Sequence, residues 1–193
     1  MWHGTGGEKM EAYTFADLLE WDEGERYELI DGEAVLLASP RRVHQEVSGE
    51  LFAQLHGYLQ GKTCRVYAAP FDVRLFEQDG DAPEGIDTVV QPDISVICDS
   101  SKLDDLGCKG APDLIIEILS PSTQRHDRVV KFNLYRKAGV REYWIVDPEG
   151  KTAQSFILEN GYYTPKEVGL PGEKMPVQVL EDCVMDLTRV FPQ

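Results

Sequence analysis

The fold is decided by two short apolar segments, QPDISVI at residues 91–97 and DLIIEIL at residues 113–119. Runs of this kind are typical of strands that are covered on both faces of a sheet. Each run nevertheless carries one carboxylate, Asp93 in the first and Glu117 in the second. Burying an ionised carboxylate is costly unless a counter-charge or a metal compensates for it. The pair therefore predicts a divalent cation that is shared by two neighbouring strands.

The identity of the cation follows from the ligand type. Carboxylate oxygens favour Mg²⁺, with Mn²⁺ as a substitute, and the sequence has no His/Cys cluster that would favour zinc. Asp113 is an alternative partner for Glu117, because Pro112-Asp113 repeats the Pro-Asp pair. It precedes Glu117 by four residues, which is roughly 13 Å at the rise of a strand. Asp93 is therefore the preferred ligand.

A third candidate residue, Lys131, lies on a predicted helix at residues 125–138. Asp127, Lys131 and Tyr135 recur every four residues and so share one stripe of that helix. Because the helix leaves directly from the Glu117 strand, it can return this stripe over the metal. A lysine there could orient the attacking water and neutralise charge that develops on a phosphate. The alternative is a solvated helix face with an Asp127–Lys131 ion pair.

The periodicity of the remaining chain predicts one α/β domain at residues 13–193, with a mixed sheet and at least two packed helices. Residues 1–12 are predicted to be a flexible leader. The other predicted elements are a short helix after Thr14, two strands within 27–37, a helix at 40–60, strands at 65–76 and 142–148, a hairpin formed by 153–158 and 162–168, and a strand at 177–180.

The composition is that of a globular protein with an acidic surface. The 193 residues include 34 acidic and 19 basic side chains, for a net charge of −15, which opposes nonspecific binding to nucleic acid. No segment has the roughly 18 apolar residues that a membrane-spanning helix needs. The cysteines show no metal-binding spacing. We predict that all of them are free thiols of a cytoplasmic protein: Cys64, Cys98, Cys108 and Cys183.

Four segments, in this order and spacing, resemble the bacterial putative restriction endonuclease family of the PD-(D/E)XK nuclease superfamily. They are YELIDGE (27–33), QPDI (91–94), PDLIIEILSPS (112–122) and EYWIVDP (142–148). The resemblance extends over residues 13–179, nearly the whole chain. It implies a restriction-endonuclease-like core, in which helices flank the sheet, and Mg²⁺-dependent hydrolysis of phosphodiester bonds.

The resemblance also assigns roles to individual residues. It implies that Asp93, Glu117 and the main-chain carbonyl of Ile118 bind the metal. The signature places its lysine two residues after the glutamate, where this chain has Leu119. In the family the lysine has moved to the following helix, which on this chain points to Lys131. If Lys131 points away from the site, we expect metal binding with poor cleavage.

Other residues are weaker candidates for the site. Glu33 or Glu28, on the early hairpin, could supply a further acidic ligand, although a solvated turn residue is the simpler interpretation of Glu33. His44, near the start of the long helix, could contact a phosphate or act as an acid or base. Arg125 and Arg128 begin a basic cluster beside the proposed site and are candidates for contact with nucleic acid.

The leading hypothesis is a Mg²⁺-dependent endonuclease that acts on DNA, and cleavage of both strands would require two sites, as in a homodimer. The acidic net charge weighs against it, because duplex binding depends on neutralising phosphates. The first alternative is a catalytically weak or inactive nuclease-fold module in a defence or mobile-element system. A second is an interaction module whose acidic pair is a hydrogen-bonded structural feature.

Overall fold

The segments that carry Asp93 and Glu117 form neighbouring strands inside a six-stranded sheet. The computed structural model describes residues 12–21, 24–121 and 124–191. The helices are α1 (Phe15–Glu20), α2 (Arg42–Leu59) and α3 (Phe132–Ala138), with a π-helical turn at His126–Lys131 and 3₁₀ turns at Pro83–Gly85 and Ser100–Lys102. The strands are β1 (Tyr27–Ile30), β2 (Glu33–Leu36), β3 (Arg65–Ala68), β4 (Val73–Arg74), β5 (Val89–Val90), β6 (Ile94–Ile97), β7 (Leu103–Asp104), β8 (Gly107–Lys109), β9 (Leu114–Ile118), β10 (Glu142–Asp147), β11 (Thr152–Glu159), β12 (Tyr162–Gly169), β13 (Lys174–Pro176) and β14 (Val184–Asp186).

The central sheet has the strand order β12-β11-β10-β9-β6-β3. Its strands β9 and β10 are parallel, whereas every other neighbouring pair is antiparallel. Every residue of β6 and β9 is buried, because apolar side chains cover both faces of these strands. The predicted mixed sheet, its flanking helices and the additional hairpin β11–β12 are confirmed.

A second sheet, here called the hairpin sheet, has the order β2-β1-β5-β4-β8-β7. Its first two strands are joined by Asp31 and Gly32, which both have positive φ angles of 50° and 80°, as a tight hairpin turn requires. A Cβ atom on Gly32 would lie 2.5 Å from the Cβ atom of Ala12. Gln91 and Pro92 connect β5 of this sheet directly to β6 of the central sheet, so the two sheets meet beside Asp93.

Helix α2 covers one face of the central sheet. Val47, Leu51, Leu55 and Leu59 recur every four residues on its buried side and pack against the apolar residues of β6, β9 and β10. Ile115, Leu119 and their neighbours face the other side, where α3 packs. The predicted helix at 40–60 is therefore confirmed, and its first turn lies at the edge of the sheet next to Asp93.

Two predictions about secondary structure are wrong. Residues 65–76 are split into β3 and β4 by a segment with a cis Ala69–Pro70 bond, because proline has no N–H group to continue the ladder. Residues 177–180 form a turn that buries Val177 and Leu180, so their apolar character reflects burial without a strand. Residues 99–112, for which no element is predicted, contain the short strands β7 and β8. The predicted helix at 125–138 is confirmed, and its residues 126–131 form the π-helical turn.

The prediction that all four cysteines are free is wrong. Cys64 and Cys98 form a disulfide, because Cys64 directly precedes Arg65, Cys98 directly follows Ile97, and Arg65 pairs with Ile97 at one end of the antiparallel β3–β6 ladder. Cys108 and Cys183 are free and buried. Disulfides persist in oxidising compartments, so the thiols no longer support the predicted cytoplasmic location.

The predicted leader, residues 1–12, lies outside the described residues except for Ala12. Among the helices that the structure describes, none is long and apolar enough to cross a membrane.

Reduction of the Cys64–Cys98 disulfide should lower the stability of the protein. The bond closes a loop with a sequence separation of 34 residues, and its loss should reduce the free energy of unfolding by roughly 3 kcal/mol. Urea unfolding with and without a reducing agent measures this change. The variant with Cys64→Ala and Cys98→Ala should match the reduced protein and ignore the reductant. Identical unfolding of the wild type under both conditions would contradict the prediction.

Candidate active site

Asp93 and Glu117 converge at the edge of the central sheet. The pairing of Ile94 with Ile116 places them at the next position of the antiparallel β6–β9 ladder. The main-chain N–H of Ile118 donates to Oδ2 of Asp93 at 2.7 Å, and that of Asp93 donates to Oε2 of Glu117 at 3.4 Å. The two carboxylates therefore lie side by side, as required for a shared ligand.

Lys131 reaches this pair from the other side. Its ammonium nitrogen lies 2.9 Å from Oε1 of Glu117, the oxygen that also accepts a hydrogen bond from the Tyr135 hydroxyl at 2.6 Å. Asp127 lies farther away, with its Oδ1 atom 3.9 Å from the ammonium. The predicted stripe of Asp127, Lys131 and Tyr135 thus faces Glu117, and all three side chains are buried.

The π-helical turn contains both Asp127 and Lys131. Such turns widen the helix by one residue and are frequent at functional sites. The hydroxyl of Tyr143, on β10, donates to the main-chain oxygen of Asp127 at 3.1 Å, so the turn is anchored to the strand beside β9. This hydrogen bond ties the turn that carries Lys131 to the central sheet.

Glu28 is the acidic residue of the early hairpin that reaches the site. Its Oε1 atom accepts hydrogen bonds from Lys131 and from the main-chain N–H of Gln91, both at 2.8 Å, and the residue is fully buried. Its Oε2 atom has no hydrogen-bond partner and lies 4.0 Å from Nε2 of His126. Glu33 is exposed and is absent from the cavity lining. Glu28 lies inside the short strand β1, as Glu117 lies inside β9, whereas Glu33 is the first residue of β2 after the turn.

The electrostatics of the cluster are dominated by negative charge. The Lys131 ammonium lies among the carboxylates of Glu28, Glu117 and Asp127, and Asp93 adds further negative charge beside Glu117. Burial raises the pKa of Glu117, and the charge of Lys131 offsets this effect only in part. Burial alone would lower the pKa of Lys131, but the charges of Glu117 and Glu28 outweigh it and raise that pKa above its usual range. One protonated lysine thus compensates only some of the carboxylates.

His44 lies over the other carboxylate of the pair. Its Nε2 atom is 3.1 Å from Oδ2 of Asp93. Burial lowers the pKa of His44, but the hydrogen bond and the charge of Asp93 more than compensate, so the pKa is raised overall. The carboxylate of Asp93 therefore stabilises the protonated form of His44 relative to a free imidazole.

A cavity of about 470 Å³ opens above these residues. Asp93, Glu117, Ile118 and Lys131 lie at its base, and its wall includes His44 and Asp127. Its lining also includes Arg26 and Arg41, which the sequence analysis missed. Arg26 is held by a 2.9 Å hydrogen bond from its Nε atom to the side-chain oxygen of Gln91. Arg26 is an isolated basic residue before β1 and Arg41 adjoins only Arg42, so neither stands out in the sequence as a residue of the site.

The predicted basic cluster is less available to a ligand than its sequence suggests. Arg125 is exposed, but a nitrogen of Arg128 lies 3.4 Å from a carboxylate oxygen of Asp147. Asp113, the alternative ligand, binds Arg141 at 2.8 Å at the opposite end of β9. Neither Arg125 nor Arg128 lines the cavity.

The chain is similar to known proteins in both sequence and fold. A model of the family described as "Uma2: Putative restriction endonuclease" matches residues 15–188. A crystal structure described as a putative nuclease belonging to DUF820, from Anabaena variabilis, has a TM-score of 0.69 and 20% identity, and the match covers 92% of this chain and 97% of that one. This likeness confirms the predicted fold class. The uncharacterized protein slr1290 of Synechocystis is 27% identical over 121 residues, 62% of this chain. The match spans 60% of the length of that relative.

The substitution Lys131→Met should destabilise the protein strongly. It leaves Glu28 and Glu117 buried without their counter-charge, which should lower the free energy of unfolding by about 3–5 kcal/mol where both are ionised. Burial raises the pKa of Glu117 to about 8, so the penalty should be largest above this pH and should shrink as the pH falls through it, because a protonated Glu117 needs no counter-charge. Urea unfolding across pH measures both effects.

A second substitution and a control sharpen the measurement. Glu28→Gln should restore part of the stability in the Lys131→Met background, because it removes one unpaired charge. Lys166→Met removes an exposed lysine paired with Glu159 and should change the free energy of unfolding by at most about 1 kcal/mol. Equal, small effects of the two lysine substitutions would show that Lys131 does not compensate the cluster.

Proposed function

The chain belongs to the Uma2 family of putative restriction endonucleases, and we propose that it is a metal-dependent endonuclease that hydrolyses phosphodiester bonds in DNA. The observation that carries the proposal is the meeting of Asp93, Glu117 and Lys131 at the base of one open cavity. These residues come from two strands and a helical turn, and their arrangement combines acidic oxygen ligands with a fixed cation. Phosphoryl transfer requires both, because negative charge develops on the phosphate oxygens.

The donor set fits Mg²⁺. Asp93 and Glu117 would hold the ion with the main-chain carbonyl of Ile118, and the surplus of buried carboxylates favours an added cation. Among the described residues, no group of three or more His, Cys, Asp or Glu side chains is placed to hold a metal. Such a group is not required, because Mg²⁺ is usually bound through one or two carboxylates and keeps several waters. When bound, the ion would polarise a phosphate oxygen and lower the pKa of a coordinated water.

The side chains of the site have separate tasks in this proposal. Lys131 places a permanent positive charge beside Glu117, where it stabilises charge on a phosphate or orients the attacking water. Tyr135 and Glu28 hold the Glu117 carboxylate and the Lys131 ammonium in place. His44 contacts Oδ2 of Asp93 and so helps to orient this carboxylate.

In this proposal, arginines at and near the cavity position the DNA through its phosphates. Arg26 and Arg41 are placed to meet the phosphate backbone, and Arg125 extends this surface outside the cavity. Cleavage of both strands would require two such sites, and a homodimer is therefore part of the proposal.

Cleavage of supercoiled plasmid and of single-stranded DNA with Mg²⁺ or Mn²⁺ tests the proposal. Asp93→Asn, Glu117→Gln and Lys131→Met should each lower the cleavage rate by roughly 100-fold or more. Two substitutions serve as matched controls and should leave the rate unchanged: Lys166→Met and Glu142→Gln. Glu142 is also a buried carboxylate, but it accepts hydrogen bonds from Trp144 and Val179 away from the cavity. Cleavage that survives Glu117→Gln would reject the site.

Thermal unfolding with and without Mg²⁺ tests the metal independently of cleavage. A ligand that binds only the folded protein stabilises it by about 2.7 kcal/mol at 100 times its Kd. We expect the melting temperature of the wild type to rise with Mg²⁺, and Glu117→Gln to abolish the rise. A metal-dependent rise without cleavage would favour the catalytically weak module, whereas no rise would favour an interaction module.

A further inference from the structure

A groove between α2 and β3 continues from the active-site cavity. A second cavity of about 310 Å³ is lined by residues of both elements, including His56, Arg65 and Tyr67. The first cavity ends at Phe52 on α2 and at Ala68 on β3, which adjoin His56 and Tyr67. The two cavities therefore lie end to end along the same helix and strand, and together they are called the α2–β3 groove.

The wall of this groove carries a pair of stacked rings. Phe52 and His56 are one helical turn apart, with ring centroids 5.7 Å apart and planes inclined by 13°. His56 is exposed and Phe52 is half-buried. From His44, which contacts Asp93, the helix runs roughly 18 Å to His56 at 1.5 Å per residue. The rings thus lie beyond the active site at a distance that a few nucleotides would cover.

Charge in the groove contrasts with that of the chain as a whole. The chain has 34 acidic residues, yet among the described residues the only acidic ones in the lining of either cavity are the active-site residues Asp93, Glu117 and Asp127. Arginines line both cavities, Arg26 and Arg41 in the first and Arg65 in the second. An anionic backbone therefore meets positive charge along the groove.

The depth of the active site limits what can enter it. Glu117 is 3% exposed and Lys131 is 4% exposed, so a scissile phosphate must descend into the cavity. Duplex DNA is stiff, with a persistence length of about 50 nm, whereas a single strand bends freely. Single strands are also bound by grooves that combine positive charge with aromatic rings on which bases stack.

We propose that the α2–β3 groove binds single-stranded DNA, such as an unpaired end or flap, and leads its backbone into the active-site cavity. Phe52 and His56 form the stacking platform, and Arg41 receives the backbone where the groove enters the cavity. The inference rests on the proposed nuclease function, and it narrows the substrate of that site to DNA with an unpaired segment.

Binding of fluorescently labelled oligonucleotides tests the groove. The probes are a single strand of about 12 nucleotides, within the site sizes of single-strand-binding proteins, and the corresponding duplex. Anisotropy is measured with Ca²⁺, a hard cation that neutralises the carboxylates. We expect the single strand to bind at least tenfold more tightly than the duplex. His56→Ala and Phe52→Leu, which keeps an apolar side chain, should each weaken single-strand binding by about tenfold.

Arg41 and its neighbour provide a matched pair. Arg41→Ala should weaken binding, whereas Arg42→Ala should not, because Arg42 is exposed, pairs with Glu46 and lines neither cavity. Equal binding of duplex and single strand, or unchanged binding by the Phe52 and His56 variants, would contradict single-strand binding by the α2–β3 groove. This conclusion would hold even if the protein cleaves plasmid DNA. Single-strand binding by the groove without cleavage under Mg²⁺ or Mn²⁺ would instead overturn the nuclease proposal and keep the groove.

Discussion

The buried ammonium of Lys131 is the interaction on which the arrangement of the site depends. It binds Glu28 from the hairpin sheet and Glu117 from the central sheet, at 2.8 and 2.9 Å. Each carboxylate alone would be costly to bury, and the ammonium alone would be as costly. The two sheets and the π-helical turn are therefore held in one relative position by charges that cannot be satisfied separately.

A second buried carboxylate shows why position in an apolar strand is an incomplete signal. Glu142 is the first residue of β10, Glu117 is the second-last residue of the neighbouring β9, and both are buried. Glu142 accepts hydrogen bonds from the indole of Trp144 and from a main-chain N–H, so neutral donors satisfy it within its own part of the fold. Glu117 instead contacts an ammonium at an open cavity. The difference depends on partners outside each strand, such as Lys131 for Glu117 and Val179 for Glu142, which the pattern of a single strand does not contain.

The parts of the site that the sequence predicted share one property: their positions depend on local periodicity. Alternation along β6 and β9 places Asp93 beside Glu117, and the four-residue spacing of Asp127, Lys131 and Tyr135 gives one helical stripe. Long-range packing determines the remainder, including the reach of Glu28 and the Cys64–Cys98 disulfide. Periodicity alone does not assign a catalytic role to the lysine of this stripe. The resemblance to the nuclease family implies that role, because the lysine of the signature is expected on the helix that carries Lys131.

The acidic net charge of the chain counts less against DNA binding than the composition alone suggests. Net charge sums the whole surface, whereas screening limits the influence of an exposed charge to about 10 Å at 0.1 M salt. A substrate in the α2–β3 groove would therefore respond to the arginines that line it more than to distant carboxylates. The same distribution disfavours broad contact with a duplex, because acidic surface would surround the few cationic contacts. In the proposed groove, acidity outside and cations within would act together, since they would disfavour an extended duplex and favour a single strand.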